Sequence, residues 1–282
     1  MISIIICSRT PELSPALSLN IEETIGCAYE LIVIDNSDNT YSIFEAYNLG
    51  IQKSKGDFWC FMHDDILFYT SNWGLELLKI FESDINIGLI GVAGTKIKTK
   101  MPSAWWDCPE DQKIINIKQH INNETVENWK QGWKDNPIEQ VAVIDGVFMV
   151  AKRDNAIMLD TRLKGFHNYD LCLSLLYQQN KYKVVVTQNI LLEHFSLGTI
   201  NKSWFESTLQ FDVLFRSFLP IKIENSLSAK QLKIQEFKNG MRFCTNLVHY
   251  NLKSKAIPYW VQLLFLKPIS KFHLKFLKLL IK

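Results

Sequence analysis

No run of the 282-residue sequence reaches the ~18 consecutive apolar residues of a membrane-spanning helix. The short apolar start, Ile2 to Cys7, has neither the length nor the basic flank of a secretory leader. A protein that is neither secreted nor integral is expected. No GxGxxG follows the first apolar run, and no GxxxxGKS or GxxxxGKT loop occurs anywhere, which disfavours nicotinamide and P-loop chemistry. The cysteines, at positions 7, 27, 60, 108, 172 and 244, form no CxxC pair. Cys7 and Cys60 sit inside apolar runs, where a thiol acts as a small hydrophobe. Reduced thiols and a cytoplasmic location are the expectation. Acids are missing from the last stretch: residues 253–282 hold seven lysines and no Asp or Glu, so a formal charge of +2 for the chain leaves −5 on the residues before them. A strongly basic tail on an acidic body is a polarity that the total charge hides.

Against these absences stands the run FWCFMHDDI, Phe58 to Ile66. Mostly apolar residues bounded by polar ones read as a strand buried on both faces. His63, Asp64 and Asp65 should then emerge at the carboxyl edge of a sheet, where open α/β sheets bind ligands. Two adjacent carboxylates and an imidazole are costly there unless solvated, hydrogen-bonded or shared with a cation. A hard divalent ion whose shell a diphosphate completes is one solution, and a turn of solvated acids is the other.

The apolar pattern sets out a βαβαβ unit, with strands at 2–7, 30–34 and 58–62 and helices at 14–24 and 42–53 between them. A helix at 73–82, strands at 87–93 and 141–151, a helix at 168–179 and strands at 182–186 and 190–192 follow. From residue 200 the pattern is helical. Residues 98–140, rich in Trp, Asn and Asp, read as a long irregular segment of the kind that carries function. The expected fold class is α/β, with a Rossmann-like, mostly parallel central sheet over residues 1–200 and a helical C-terminal extension over 201–282.

In this order the motifs resemble the GT-A fold glycosyltransferases of the family-2 type, and within them the streptomycin-biosynthesis StrF-like branch. The resemblance covers about residues 2–200 and is most specific in AYNLGIQKSKGDFWCFMHDDI. There His63 stands where the family has the first Asp of a DxD motif, and Asp65 where it has the last. ISIIICSRT, LIVIDNS, DGVFMVAKR, FHNYDLCLSL and EHFSLG are the further matches. The resemblance implies a nucleotide-diphospho-sugar transferase fold and a hexosyltransferase. Such an enzyme moves a sugar from a nucleotide-diphosphate donor, a UDP-sugar first, to an acceptor hydroxyl with inversion, in surface-glycan or polysaccharide synthesis.

The same resemblance implies Ser8, Arg9, Asp35, Asn48 and Asp64 as donor-nucleotide contacts, and Asp65, His63 and His194 as metal ligands. It implies Asp170 as the catalytic base. Mn2+ tolerates an imidazole better than Mg2+, which prefers oxygen, so manganese is favoured with magnesium as the alternative. Trp105, Trp106, Gly146, His167 and Tyr169 are the acceptor-side or loop candidates. Plainer readings stand beside these: Asp170 as a first-turn helix acid, the tryptophans as packing beneath a loop, Gly146 as a backbone requirement. Two rival classes remain. A sugar nucleotidyltransferase would carry a glycine-rich basic loop after its first strand, and a catalytically silent sugar-nucleotide-binding scaffold is suggested by His63 in place of an acid.

In SKFHLKFLKLLIK, the lysines at 271, 275, 278 and 282 recur along one helical face, while Phe272, Phe276, Leu279 and Leu280 fill much of the remainder. Peripheral contact with an anionic membrane, near a glycan or lipid-linked acceptor, is one expectation. Packing on the body or on another subunit is the other. Nucleic acid is discounted, because the lysines are interleaved with aliphatic residues and the body is acidic.

Overall fold

The structure is a computed structural model that describes residues 1–122, 124–224 and 226–281. Strands β1 (Ile2–Ser8), β2 (Tyr29–Asp35) and β3 (Phe58–Met62) alternate with helices α1 (Pro15–Thr24) and α2 (Ile43–Lys53), as the apolar pattern predicts. Short β4 (Ile66–Phe68) leads to α3 (Trp73–Ser83), then to β5 (Ile87–Gly91), β6 (Ala93–Thr95) and β7 (Ile97–Lys98). β8 (Lys113–His120) and β9 (Val126–Gln131) pair antiparallel, and β10 (Ile138–Gln140), β11 (Val143–Ile144) and β12 (Phe148–Lys152) come next. Helix α4 (Tyr169–Gln179), β13 (Lys183–Thr187), β14 (Leu192–His194), α5 (Lys202–Phe215) and β15 (Ile221–Lys222) follow. Helices α6 (Ala229–His249), α7 (Lys253–Leu266) and α8 (Lys271–Ile281) form the C-terminal part.

The main sheet runs β10-β13-β5-β12-β3-β1-β2, and a second runs β11-β6-β8-β14-β4 with β9 on β8. The main sheet is mixed rather than mostly parallel. β1 pairs parallel with β2 and β3, and β13 with β5, but β12 enters antiparallel between β3 and β5, and β10 lies antiparallel on β13. The segment expected to be irregular, 98–140, instead holds β8, β9 and β10. β9 is polar and largely exposed, so no apolar alternation marks it.

The expected strand over 141–151 is split at residues 145–147, because the chain passes there from the second sheet into the main one. β3 gives way to β4 through His63, Asp64 and Asp65, and β5 to β6 through Val92, so three neighbouring segments cross between the sheets along one seam. The His63 N–H donates to the Val147 carbonyl at 3.1 Å and the Asp145 N–H to the Ala93 carbonyl at 2.8 Å, tying the crossings together. Polar residues at this seam cannot drift, since Trp59, Cys60, Phe61 and Met62 of β3 are buried on both faces just before it.

Helix α2 starts at a reciprocal Ser42–Glu45 cap, which satisfies two of its otherwise orphaned N–H groups. It rests closely on β1, and a Cβ at Gly50 would lie 2.2 Å from Ile5 Cγ2. At the other end of the chain, Phe272, Phe276, Leu279 and Leu280 of α8 pack into an apolar cluster with Phe237, Leu247, Tyr259 and Leu263. Of the two expectations for these apolar residues, packing on the body is the one seen, and Lys282 falls outside the described residues. Among the described residues no helix is long and apolar enough to cross a membrane. The packing of α2 yields a direct test. Gly50→Ala is expected to lower unfolding free energy by about 1–3 kcal/mol through overpacking against Ile5, read by urea denaturation; an unchanged midpoint would contradict this packing.

Candidate active site

A cavity of about 910 Å³ opens at the carboxyl ends of β1 and β3. Ser8, Arg9, His63, Asp64 and Asp65 line one part of it, and Gly146, His167, Tyr169, Asp170 and His194 another. Trp105 and Trp106 also reach it. Asp35 and Asn48 are not among its lining residues. Asp35 closes a local turn by accepting from the Ser37 N–H and hydroxyl at 3.0 and 2.7 Å, and these bonds hold its carboxyl below the usual range. Asn48 is a buried clamp: its amide donates to the Leu159 carbonyl at 2.8 Å and accepts from the Leu159 N–H at 3.0 Å. The donor contact expected of Asn48 is thus replaced by a role in fastening α2 to the loop before α4.

Asp65 Oδ1, His63 Nδ1 and His194 Nε2 form a triangle with sides of 3.7, 3.6 and 3.2 Å. A point equidistant from all three lies about 2.0 Å from each, close to the ~2.0–2.2 Å of divalent-metal bonds to nitrogen and oxygen. The orientation of both rings follows from their second nitrogens. His194 Nδ1 is 3.0 Å from Gln119 Oε1, and the Gln119 amide donates to the Ser196 and His120 carbonyls, so the glutamine oxygen must face the ring. His194 Nδ1 therefore carries the proton and Nε2 presents a lone pair to the triangle. His63 Nε2 is 2.6 Å from the Tyr169 hydroxyl, leaving Nδ1 turned toward the same point. Burial and the neighbouring His194 keep the His63 imidazole below its ordinary pKa, in the form that offers a lone pair. Burial opposes ionisation of Asp65, yet its polar contacts with His194, Ser196 and His63 outweigh it and hold this carboxyl well below the usual range. A carboxylate and two lone pairs aimed at one point, each ring steadied from behind, fit a cation.

Local structure explains these placements. β14 pairs in parallel register with β8, which sets His194 directly opposite Gln119. Tyr169 opens α4 with its ring edge-on to Tyr47, and a Cβ at Gly146 would sit 2.3 Å from its hydroxyl. Gly146 is thus the space that lets Tyr169 reach His63. His167 touches Ser203 at 3.2 Å at the cavity rim. Arg9 binds Asp64 through Nε at 3.0 Å and lies 3.2 Å from Asp65 Oδ2, while the Ser8 hydroxyl donates to the Thr10 carbonyl and shapes the turn.

Asp170, the second residue of α4, accepts from the Leu171 N–H at 2.8 Å. Burial, with the repulsion of Asp145 added, nevertheless pushes its pKa up to about 7. Asp145 was not singled out from the sequence, although it lies in the quoted DGVFMVAKR segment; it accepts from Trp105 Nε1 at 2.5 Å and from the Val147 N–H at 2.8 Å. Gln119, Asn36 and Asn39 also line the cavity without having been foreseen. Its far wall is Trp105 edge-on to Trp106, with Trp129, Asn128 and Lys130 from β9. Helix α6 steadies that wall: Glu236 accepts from the Lys100 and Met101 N–H groups at 2.6 and 2.7 Å, and Asn239 donates to the Asp107 carbonyl at 2.9 Å.

The raised Asp170 pKa sets a pH dependence whose sign is fixed. With a folded value of about 7 and an unfolded one of about 3.9, the native carboxyl binds more protons across that window, so stability falls as pH rises through it and the deficit is complete above it. In metal-free protein, Asp170→Asn is expected to be more stable than wild type at pH 8, by up to about 4 kcal/mol. The gain should vanish toward pH 4, as read by urea denaturation; a difference independent of pH would contradict the shift.

Residues 3–211 match the sequence model of the glycosyltransferase-like family. No curated protein matches the chain. Among solved structures, S. aureus TarS is 13% identical over 93% of this chain and 48% of its own, with a TM-score of 0.51. GalNAc-T7 with UDP, GalNAc and Mn2+ is 12% identical over 84% of this chain and 54% of its own, also at 0.51. The chain spans about half the length of either structure. These likenesses show the fold, which is GT-A, and the match over most of the sequence shows the rest: the chain belongs to the glycosyltransferase-like family and is an enzyme of that kind.

Proposed function

We propose that this glycosyltransferase is metal-dependent and inverting, and that it moves a sugar from a nucleotide-diphosphate donor to an acceptor hydroxyl in polysaccharide or surface-glycan synthesis. The observation that carries the reading is one cavity holding both the His63–Asp65–His194 triangle and the raised-pKa carboxyl of Asp170. The GalNAc-T7 structure, which shares the fold and contains UDP, GalNAc and Mn2+, supports a UDP-sugar donor and manganese. Two nitrogens and one oxygen also suit Mn2+ better than Mg2+. When bound, such an ion offsets the negative charge that develops on the departing diphosphate.

The remaining work falls to side chains of this chain. Ser8, Arg9 and Asp64, joined by Asn39, line the nucleotide side of the cavity at the ends of β1 and β2, and Asn36 shapes the loop there by bridging the Tyr41 N–H and carbonyl. Arg9 keeps about two thirds of its side chain exposed, so its guanidinium is free to swing from the acids to a phosphate, which it matches with paired donors. Asp170 accepts the proton of the attacking hydroxyl. A carboxylate with a pKa near 7 is a stronger base than an ordinary aspartate and is still substantially ionised at neutral pH. Attack opposite the leaving diphosphate inverts the anomeric centre. Trp105, Trp106 and Trp129, with Asn128 and Lys130 between them, suit a sugar acceptor, free or lipid-linked.

The ordered motifs support the StrF-like branch and a transferase unit over 1–200 with a helical extension over 201–282. A cytoplasmic setting with reduced cysteines belongs to the same proposal. Asp170→Asn is expected to keep donor binding, measured by calorimetry with UDP and Mn2+, while losing about 10²–10⁴-fold in turnover. Turnover equal to wild type would remove Asp170 from the role.

A further inference from the structure

We infer that the outer face of α7 and α8 docks on an anionic lipid bilayer. This goes beyond the transferase reading and does not depend on it. From Ser226 to the last residue the sequence holds eleven Lys and Arg and a single acid, Glu236. Glu236 is buried and occupied by the Lys100 and Met101 N–H groups, so it does not neutralise the surface.

The helices divide into an inner and an outer side. α7 buries Ala256, Tyr259 and Leu263 and turns Ile257, Val261 and Phe265 outward, the last 82% exposed. The corner after it adds Ile269, 91% exposed. α8 buries His273 and Phe276 and presents two adjoining strips, Leu274, Leu277 and Ile281 in one and Lys271, Lys275 and Lys278 in the other. At the helical period of ~100° per residue, the centres of these strips lie about a quarter turn apart. None of the three lysines is in an ion pair among the described residues. Beside Phe265 an apolar groove of about 660 Å³, walled by Met101, Leu232 and Leu266, is rimmed by Lys100 and Lys233, repeating the same chemistry.

Large apolar side chains left in water beside a row of unpaired cations mark a contact surface. A second copy meeting this face through a two-fold axis would set lysines against lysines or against the apolar strip, with no acid in α7 or α8 to pair them, which opposes association. A bilayer with anionic headgroups satisfies both features at once, with the apolar strip entering the acyl boundary and the lysines lying at the phosphates. The helices are too short to span, so the contact is peripheral.

The test is flotation of the full chain with vesicles of phosphatidylcholine alone or mixed with phosphatidylglycerol, across a sodium chloride series, without donor or metal. Retention is expected on the anionic vesicles only and should fall as salt rises. The combined Lys271→Glu, Lys275→Glu, Lys278→Glu variant should bind more weakly by at least on the order of a hundredfold, from about fivefold per lysine. Phe265→Ser with Ile269→Ser should also weaken retention, while both variants keep the wild-type melting temperature. No retention on anionic vesicles, equal retention on neutral ones, or wild-type binding by correctly folded variants would overturn the inference. So would a dimer in light scattering that the same substitutions dissolve, because a second copy would then be the occupant.

Discussion

The lone pairs of His63 and His194 converge beside the carboxylate of Asp65 because the other nitrogen of each ring is already committed elsewhere. Tyr169 holds one ring and Gln119 the other, at 2.6 and 3.0 Å. Two like lone pairs 3.2 Å apart repel unless a proton or a cation lies between them. Much of the surrounding structure serves that convergence: the register of β14 on β8 places Gln119, the bare backbone of Gly146 admits Tyr169, and the bonds across the seam fix His63.

The proposed reaction adds a second requirement, a base that resists early ionisation, and Asp170 is the carboxyl proposed for it. Asp170 stands at a helix N-terminus, which favours its charged form, yet burial and Asp145 push the other way and win. Asp145 also holds Trp105, so the residue that raises the Asp170 pKa is the one that sets the aromatic wall. That wall leans on α6 through Glu236 and Asn239, so the C-terminal helices support the cavity as well as carrying a face of their own. A basic surface on those helices would bring the enzyme to the same boundary at which a lipid-linked acceptor resides.

Local pattern revealed the parts of the site that lie at the ends of apolar strands. His63, Asp65 and His194 each follow such a run, and the first βαβαβ elements are bounded almost as their turns imply. Strand direction was not legible, because an apolar run such as that of β12 reads alike in a parallel or an antiparallel neighbour. Gln119 escaped notice because its importance arises from a cross-strand register with a residue far along the chain. The local role of Asn48, which the resemblance alone assigned to the donor, was not legible for a related reason: its buried amide is satisfied by Leu159, a partner distant in sequence. Asp145 hid inside an otherwise continuous apolar stretch whose break is made by the passage between sheets.

The convergence of the three donors is tested most directly by titrating Mn2+ into chelator-stripped protein by calorimetry, without nucleotide. Binding of one ion per chain is expected, abolished by Asp65→Ala and weakened about 10–100-fold by Gln119→Leu, which leaves the His194 ring unsteadied. Absence of binding in the wild type, or undiminished binding in Asp65→Ala, would contradict the account.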